Sequence, residues 1–227
     1  MSSQPEALIE RLAPRWADLW QSLTHDPGRD LFEALVKAYT EPHRAYHDLS
    51  HVSACLTALD EARDLAQDPK QVEIAIWFHD AIYRTTGSDN ELKSARWAAS
   101  ELIRSGVARE FAERVSELIQ ATVHRAQVED DDARLLVDID LGILGQPPEI
   151  YDRYERDIRQ EYRLVPGFLF RCKRAEILEG FLARPRIYNT DFFFQRWEKP
   201  ARDNLTRAIA ALRGRAPESP RTGADRS

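Results

Sequence analysis

The sequence is poor in cysteine and has neither a long apolar run nor an excess of positive charge. Its two cysteines, Cys55 and Cys172, have no paired spacing and suit a reducing compartment, so we predict two buried thiols. No apolar run approaches the roughly 18 to 20 residues that a membrane span requires, which excludes a membrane-spanning protein. The formal net charge of −6 disfavours general nucleic-acid binding, because it provides no broad positive field for a phosphate backbone.

These absences favour a cytoplasmic protein that acts on a small molecule. The chain begins polar, without the basic stretch and apolar core of a secretory signal, so we expect no membrane association. A small anionic substrate in a local basic pocket fits the acidic composition better than a nucleic acid does. The sequence leaves the oligomeric state open, with a homodimer as one option.

Apolar residues recur at helical spacing along nearly the whole chain, and no stretch alternates as a strand does. Ser88 and Glu91 have the spacing of a capping box, and Gly106 is placed as a C-terminal cap. The stretch 72–80 is short enough that its length alone would also allow a strand. We expect an all-α fold, an irregular multi-helix bundle. The predicted helices cover residues 8–23, 31–36, 49–65, 72–80, 89–105, 108–123, 133–144, 149–163, 168–182 and 198–213.

The length suits a single helical domain over residues 1–213, large enough to form a core without disulfides. Residues 214–227 are rich in Pro, Arg, Ser and Asp and contain no large apolar side chain. Such a segment cannot bury enough surface to offset its ordering entropy, so we predict a disordered tail.

Five of the six histidines lie in the region from 43 to 124, and two of them fall within the sequence YHDLSH. His47 and His51 are four residues apart, and residues at that spacing share one face of a helix. The apolar run AIWFHD ends in His79 and Asp80, and burying both without a partner would be costly.

A divalent metal ion would remove that cost, because neutral imidazole and carboxylate are ligands for Mn, Mg, Co, Ni, Fe or Zn. A later carboxylate in VDIDLGILG, either Asp138 or Asp140, could complete the ligand set.

The elements YHDLSHV, FHDAIY, ATVH and DIDLGIL, in that order, resemble the H…HD…D signature of the HD superfamily of metal-dependent phosphohydrolases. Over about residues 8–213 the chain resembles an uncharacterised bacterial family of predicted HD phosphohydrolases. The YH-x-x-x-H element is also similar to the corresponding motif of the cyclic-nucleotide phosphodiesterases, although Asp48 stands where those enzymes have Asn.

The resemblance implies an HD-type bundle, a metal site and a proton donor. Asp140 is preferred to Asp138 because the pair Asp140 and Leu141 matches how the final ligand is followed in the wider family. The implied metal ligands are His51, His79, Asp80 and Asp140, and the implied catalytic residues are His47, as general acid, and Asp80, as a carboxylate able to bridge a second ion.

The implied reaction is hydrolysis of a phosphate ester of a small phosphorylated substrate, with monoester, diester and nucleotide all open. A divalent ion lowers the pKa of bound water towards roughly 7 and polarises a phosphoryl oxygen. His47 can protonate the departing alkoxide, since the pKa of imidazole lies near the working pH. Candidates for a second metal or a phosphate contact are His124 and Glu91. Candidates for phosphate binding through charge-assisted hydrogen bonds are Arg44, Lys93, Arg125 and Lys173.

Other interpretations compete with this hypothesis. A di-iron oxygenase of the same fold needs additional histidines, and only His124 lies between Asp80 and Asp140. The spacing within HDLSH also resembles a zinc-protease motif with Asp in place of Glu, which leaves the later HD pair unexplained. A non-catalytic module that binds a metal or a nucleotide is the third alternative. His25 and His43 are interpreted as structural residues, and Glu91 is interpreted first as a helix-capping residue.

Overall fold

The segments with helical periodicity are helical in the computed structural model, which describes residues 4–124 and 128–214. Within those ranges the chain forms ten α-helices and two short 3-10 helices, with no strand, so the prediction of an all-α multi-helix bundle is confirmed. Apart from Gly214, the predicted tail lies outside the described residues. The helices are α1 Gln4–Thr24, α2 Arg29–Tyr39, α3 Leu49–Glu61, α4 Pro69–Phe78, α5 Asn90–Arg104, α6 Arg109–Ala121, α7 Asp131–Asp140, α8 Pro148–Glu161, α9 Gly167–Leu182 and α10 Asp191–Leu212.

Helix α4 packs against four other helices, and the polar pair His79 and Asp80 directly follows it. Its residues from 72 to 78 are all buried, and it packs against α3, α5, α6 and α7. A helix that is apolar on nearly every side has to be surrounded by other elements, which explains these contacts. The stretch that could also have been a strand is therefore a helix, and His79 and Asp80 follow it inside the protein.

The prediction that His47 and His51 share one face of a helix is wrong, because α3 begins only at Leu49. The side chain of Asp48 caps the helix, because Oδ1 accepts hydrogen bonds from the main-chain N–H of Ser50 at 2.7 Å and of His51 at 3.3 Å. His47 therefore precedes the helix, and His51 lies in its first turn. The apolar stripe also ends early: a 3-10 helix at Arg63–Leu65 follows α3, and the side chain of its last residue is 46% exposed.

The two caps predicted for α5 have different outcomes. Gly106 ends the helix with a φ of 82°, and the N–H of Val107 bonds the carbonyl of Leu102 at 3.0 Å, as a left-handed C-terminal cap requires. The capping box is wrong, because Asp89 occupies the N-cap position and its side chain makes no capping hydrogen bond. Glu91 consequently has no capping role.

Helix α10 starts at Asp191, seven residues before the predicted start at Glu198. Thr190 caps it by accepting a hydrogen bond from the N–H of Phe193 at 3.4 Å. Asp138 holds this cap in place, since its two carboxylate oxygens accept hydrogen bonds from the main chains and side chains of Asn189 and Thr190 at 2.7 to 2.9 Å. The contact lies 52 residues away along the chain, so no local pattern announces it.

The two cysteines differ in burial. Cys55 is buried in α3, as predicted, whereas Cys172 is exposed on α9, so the prediction of a buried thiol is wrong there. The buried positions of α9 include Phe170, Arg174 and Leu178, which are four residues apart and define one face of the helix. Cys172 lies on the opposite face. Across residues 4–124 and 128–214, no helix combines the length and hydrophobicity that crossing a bilayer would require.

Candidate metal centre

Three helix ends bring two imidazoles and two carboxylates together. His51 lies in the first turn of α3, His79 caps the end of α4 with Asp80 directly after it, and Asp140 is the last residue of α7. The Nε2 atoms of the two histidines are 3.0 Å apart. His51 Nε2 lies 3.2 Å from Asp140 Oδ1, and His79 Nε2 lies 3.2 Å from Asp80 Oδ2. We call these four residues the metal cluster.

The distances between the donor atoms of the metal cluster and the tautomer of His79 fit a divalent cation. Two donors bound at about 2.1 Å to one ion, at angles of about 90° to 110°, lie about 3.0 to 3.4 Å apart, which matches these separations. His79 Nδ1 hydrogen bonds the carbonyl of Ile76 at 2.8 Å, so this nitrogen carries the proton of the neutral ring. Its Nε2 lone pair then faces the carboxylates of Asp80 and Asp140, an arrangement that a cation between them stabilises.

The charges within the metal cluster shift the pKa values of its members strongly. Burial lowers the pKa of His79, but the carboxylates of Asp80 and Asp140 outweigh it and hold the pKa well above the ordinary value. Burial raises the pKa of Asp140, but hydrogen bonds from His124, His51 and His79 outweigh it and hold that pKa well below the ordinary value. The pKa of Asp80 is also lowered, because the charges of His79 and His47 outweigh its burial. Both carboxylates are therefore ionised and require positive charge beside them, either protons on imidazole or a metal ion.

Cys55 is a further donor in the same buried group, and the sequence interpretation did not include it. The donor atoms of His51, Cys55, His79 and Asp140 lie within 4.8 Å of one another, and this group could hold a metal ion. The Sγ atom of Cys55 is 3.8 Å from both ring nitrogens of His51, which places it beside the ring rather than in front of Nε2. Its position four residues after His51 on α3 was the available signal.

His47 lies beside the metal cluster and is held by Glu161 at the end of α8. Its Nδ1 is 2.7 Å from Glu161 Oε2, which also accepts a hydrogen bond from the Tyr83 hydroxyl at 2.8 Å. The His47 ring stacks on Tyr83 with 4.2 Å between centroids, and 6.0 Å separates it from the ring of His51. The sequence predicted His47 but missed Glu161, which lies 114 residues further along the chain.

Glu161 also binds the main chain of the loop that carries His47. Its Oε1 accepts hydrogen bonds from the main-chain N–H groups of Ala45, Tyr46 and His47 at 2.9, 2.8 and 3.0 Å. Burial raises the pKa of Glu161, but the hydrogen bond and charge of His47 and these N–H groups outweigh it, and the pKa is about 2. For His47, burial lowers the pKa, while the charge of Asp80 and the bond to Glu161 raise it to a net value above the ordinary one.

The two candidates for a second metal differ in their placement. His124 Nε2 lies 2.8 Å from Asp140 Oδ2, so this imidazole joins the outer side of the metal cluster. Its backbone is left-handed, with φ at 57°, and its Nδ1 is buried without a hydrogen-bond partner in the described residues. Glu91 lines the same cleft, but it forms no hydrogen bond or ion pair with the metal cluster in that part of the chain.

The predicted phosphate-binding side chains are mostly occupied by other groups. Arg44 is buried and donates to the main-chain carbonyls of His47, Asp80 and Ala81 at 2.8, 2.7 and 3.0 Å. Lys93 pairs with a neighbouring acid at 2.8 Å on the surface. Lys173 also pairs with an acid at 2.8 Å, at the edge of the cleft. The fourth candidate, Arg125, lies outside the described residues.

Two cavities meet at the metal cluster. The larger, of about 1030 Å³, runs between the cluster and α9, and it is lined by His47, Asp80, Asp140 and the side chain of Arg184, which the sequence interpretation missed. The smaller, of about 470 Å³, is lined by residues of α3 that include His51 and Cys55, and it shares Asp140 with the larger one. Small molecules could therefore approach the cluster from the α9 side, beside His47. Comparisons with models of known protein families, with curated proteins and with solved structures gave no match for this chain.

Proposed function

We propose that this protein is a divalent-metal-dependent phosphohydrolase of the HD type. The supporting observation is the convergence of His51, His79, Asp80 and Asp140 around a space whose donor separations, 3.0 to 3.6 Å, suit one cation. The order of these residues along the chain is also that of the HD motif. The proposal extends to a small phosphorylated substrate, with nucleotides among the candidates.

The four residues of the metal cluster would hold the ion, and His124 would support Asp140 from the outer side. When bound, a divalent ion supplies Lewis acidity that promotes ionisation of water near neutral pH and draws charge from a phosphoryl oxygen. His79 is kept in the correct tautomer by the carbonyl of Ile76, so its Nε2 is available as a donor. Asp80 and Asp140 supply the negative charge that makes the site selective for cations.

His47 would act as the general acid towards the leaving group. Its Nδ1 is committed to Glu161, which leaves Nε2 as the nitrogen able to give a proton to a substrate in the cleft. Among the groups that raise the pKa of His47, Glu161 lies outside the metal cluster, and its carboxylate favours the protonated ring. In this role Glu161 is a positioning residue, because it orients the ring and stabilises its charged form.

The size of the cleft suits a substrate as large as a nucleotide. Ligand sites commonly occupy about 300 to 1000 Å³, and the cavity beside the metal cluster has about 1030 Å³. Its walls combine the charged cluster with tyrosines and the apolar side chains of α8 and α9, which could contact a non-phosphorylated part of the substrate.

The test is a metal and substrate survey of the purified protein. With Mn, Co, Ni or Mg added, the protein should hydrolyse p-nitrophenyl phosphate, its bis-ester or a nucleotide. His79→Ala and Asp80→Ala should abolish both activity and tight metal binding, measured by elemental analysis. His47→Ala should keep the metal and lose about a hundred- to ten-thousand-fold in turnover, the usual contribution of a general acid.

The matched control is His25→Asn, which changes an exposed histidine that is not part of the cleft. Asn suits this position because its φ is 64° and Asn tolerates the left-handed region. The control should keep full activity and full metal content. The proposal is wrong if His79→Ala and Asp80→Ala bind metal and turn over substrate as the wild type does.

A di-iron oxygenase has less support from the site. Six histidines are present in the sequence, and beyond His51 and His79 only His124 forms a hydrogen bond with the metal cluster in the described residues. Two bound irons with uptake of dioxygen would favour the oxygenase. A non-catalytic module would instead bind a nucleotide tightly and leave it intact.

A further inference from the structure

The cleft beside the metal cluster contains three lysine or arginine side chains in the described part of the chain, and two of them are neutralised. Lys173 Nζ pairs with Glu176 at 2.8 Å, and Arg174 Nη2 pairs with Glu155 at 2.7 Å. Arg184 differs, because no carboxylate of residues 4–124 or 128–214 pairs with it. A positive charge that has no counterion among the described residues therefore lines the cleft.

Arg184 is fixed in this position by its surroundings. Its Nη2 donates to the carbonyl of His124 at 2.6 Å, and its guanidinium carbon lies 4.6 Å from the ring centroid of Phe181. Its own carbonyl accepts a hydrogen bond from Arg202 at 2.7 Å, which anchors the segment after α9. A guanidinium has five N–H donors, and the contact to His124 uses one nitrogen of that set.

Within the described residues, no carboxylate compensates the partial burial of the Arg184 charge. Burial lowers the pKa of its guanidinium, and no acidic group acts in the opposite direction. A partly buried charge without a counterion is unfavourable, and an anion from solution would restore the balance. Guanidinium groups bind phosphate through paired hydrogen bonds, so a phosphoryl group is the ligand whose geometry fits best.

The position of Arg184 relative to the metal cluster indicates which part of a substrate it would bind. Arg184 bonds the carbonyl of His124, and the ring of the same histidine bonds Asp140 at 2.8 Å. His124 therefore lies between the guanidinium of Arg184 and the metal cluster, and all of them line the same cleft. We propose that Arg184 binds a second phosphoryl group of the substrate while the scissile phosphoryl group lies at the metal cluster. This inference rests on the proposed function, and it narrows the substrates to compounds with at least two phosphoryl groups.

The first test measures binding without catalysis. Pyrophosphate, with adjacent phosphoryl groups, and fructose 1,6-bisphosphate, with separated ones, are titrated by calorimetry into metal-free protein. At least one should bind saturably to the wild type, and Arg184→Gln should weaken that binding about tenfold or more, the usual loss for a charge-assisted contact. Because the metal-free cluster carries two carboxylates and no cation, this titration tests the Arg184 site alone. Lys173→Gln is the matched control, since its charge is already paired, and it should change affinity less than about twofold.

Arg184→Lys is a second variant that separates loss of the charge from a folding defect, because it keeps the charge with a different donor geometry. It should bind the anion more tightly than Arg184→Gln does at an equal Tm. The proposal is overturned if the wild type binds neither compound, if Arg184→Gln binds as the wild type does, or if Lys173→Gln loses as much affinity as Arg184→Gln.

The second test uses turnover and separates the two proposals. For a substrate with two phosphoryl groups, Arg184→Gln should raise KM about tenfold or more, while KM for p-nitrophenyl phosphate changes less than about twofold. An equal rise for both substrates would overturn the two-phosphoryl assignment. Absence of any hydrolysis by the wild type, together with Arg184-dependent binding in the calorimeter, would contradict the proposed function and leave the anion site standing.

Discussion

Replacing Glu161 with Gln tests whether the site depends on a buried charge that the sequence did not reveal. The carboxylate receives five hydrogen bonds, three from main-chain N–H groups and one each from His47 and Tyr83. Gln has nearly the same shape, but its amide nitrogen is a donor and would oppose either these N–H groups or the donors of His47 and Tyr83. The variant therefore removes the charge and part of the hydrogen bonding with little change in volume.

The size of the effect on stability follows from the pKa. A shift from 4.5 to about 2 corresponds to about 3 kcal/mol at 1.36 kcal/mol per pH unit. Because the folded-state pKa is lowered, this contribution is fully present above pH 4.5 and is lost as the pH falls towards 2. Glu161→Gln should lower the free energy of unfolding by about 3 kcal/mol at pH 7, and by progressively less below pH 4.5.

The assay is urea unfolding of the metal-free protein at several pH values between 7 and 3. Glu149→Gln is the control, because Glu149 lies exposed in the first turn of the same helix and should change stability by less than about 0.5 kcal/mol. A difference between wild type and Glu161→Gln that is constant from pH 7 to pH 3 would refute the electrostatic explanation.

The same variant has a signature in catalysis if His47 is the general acid. Loss of the carboxylate lowers the pKa of His47, so the alkaline limb of the pH profile of kcat should move to lower pH, while metal content stays unchanged. A merely structural role for Glu161 would lower the amount of folded enzyme and leave the profile of the folded fraction where it was.

Three further predictions concern the frame around the metal cluster. Asp138→Asn should destabilise the protein by about 2 to 4 kcal/mol in urea unfolding, because four hydrogen-bond donors face a fully buried carboxylate. The metal content should stay at the wild-type level, and loss of the metal would indicate that Asp138 is a ligand. Gly145→Ala should lower Tm and cost about 1 to 3 kcal/mol, since its new Cβ would clash with the Cβ of Trp197. An unchanged Tm would contradict this packing. Cys55→Ser should change metal affinity less than about tenfold, because the thiol lies beside the His51 ring rather than in front of Nε2. A thiolate-to-metal absorption band in the cobalt form of the wild type would contradict that placement.

The parts of the fold that the sequence predicted are those governed by local pattern. Apolar periodicity located all ten helices in the described residues, and the buried run before His79 indicated that its polar end lies inside the protein. Two local signals were misleading. The predicted start of the last helix at residue 198 was seven residues too late, and Ser88 with Glu91 suggested a capping box that the chain does not form.

The parts that could not be predicted depend on partners far apart in the sequence. Asp138 fixes the start of α10 across 52 residues, and Glu161 holds His47 across 114. Arg184 is distinguished from the other cleft cations only by the absence of a nearby acid in the described residues, which is a property of the packed structure. No spacing rule along one chain contains that information, because it is set by how the helices meet.

The guanidinium of Arg44 joins two separate segments of the site through main-chain carbonyls. One segment carries the proposed proton donor and the other carries the HD pair, and neither join involves a side chain of the metal cluster. Exchange of the metal ion, or a change in its charge, therefore leaves this crosslink intact. Under the proposed function, the acid and the ligand segments stay in register while the ion is bound and released, and the cleft does not have to refold.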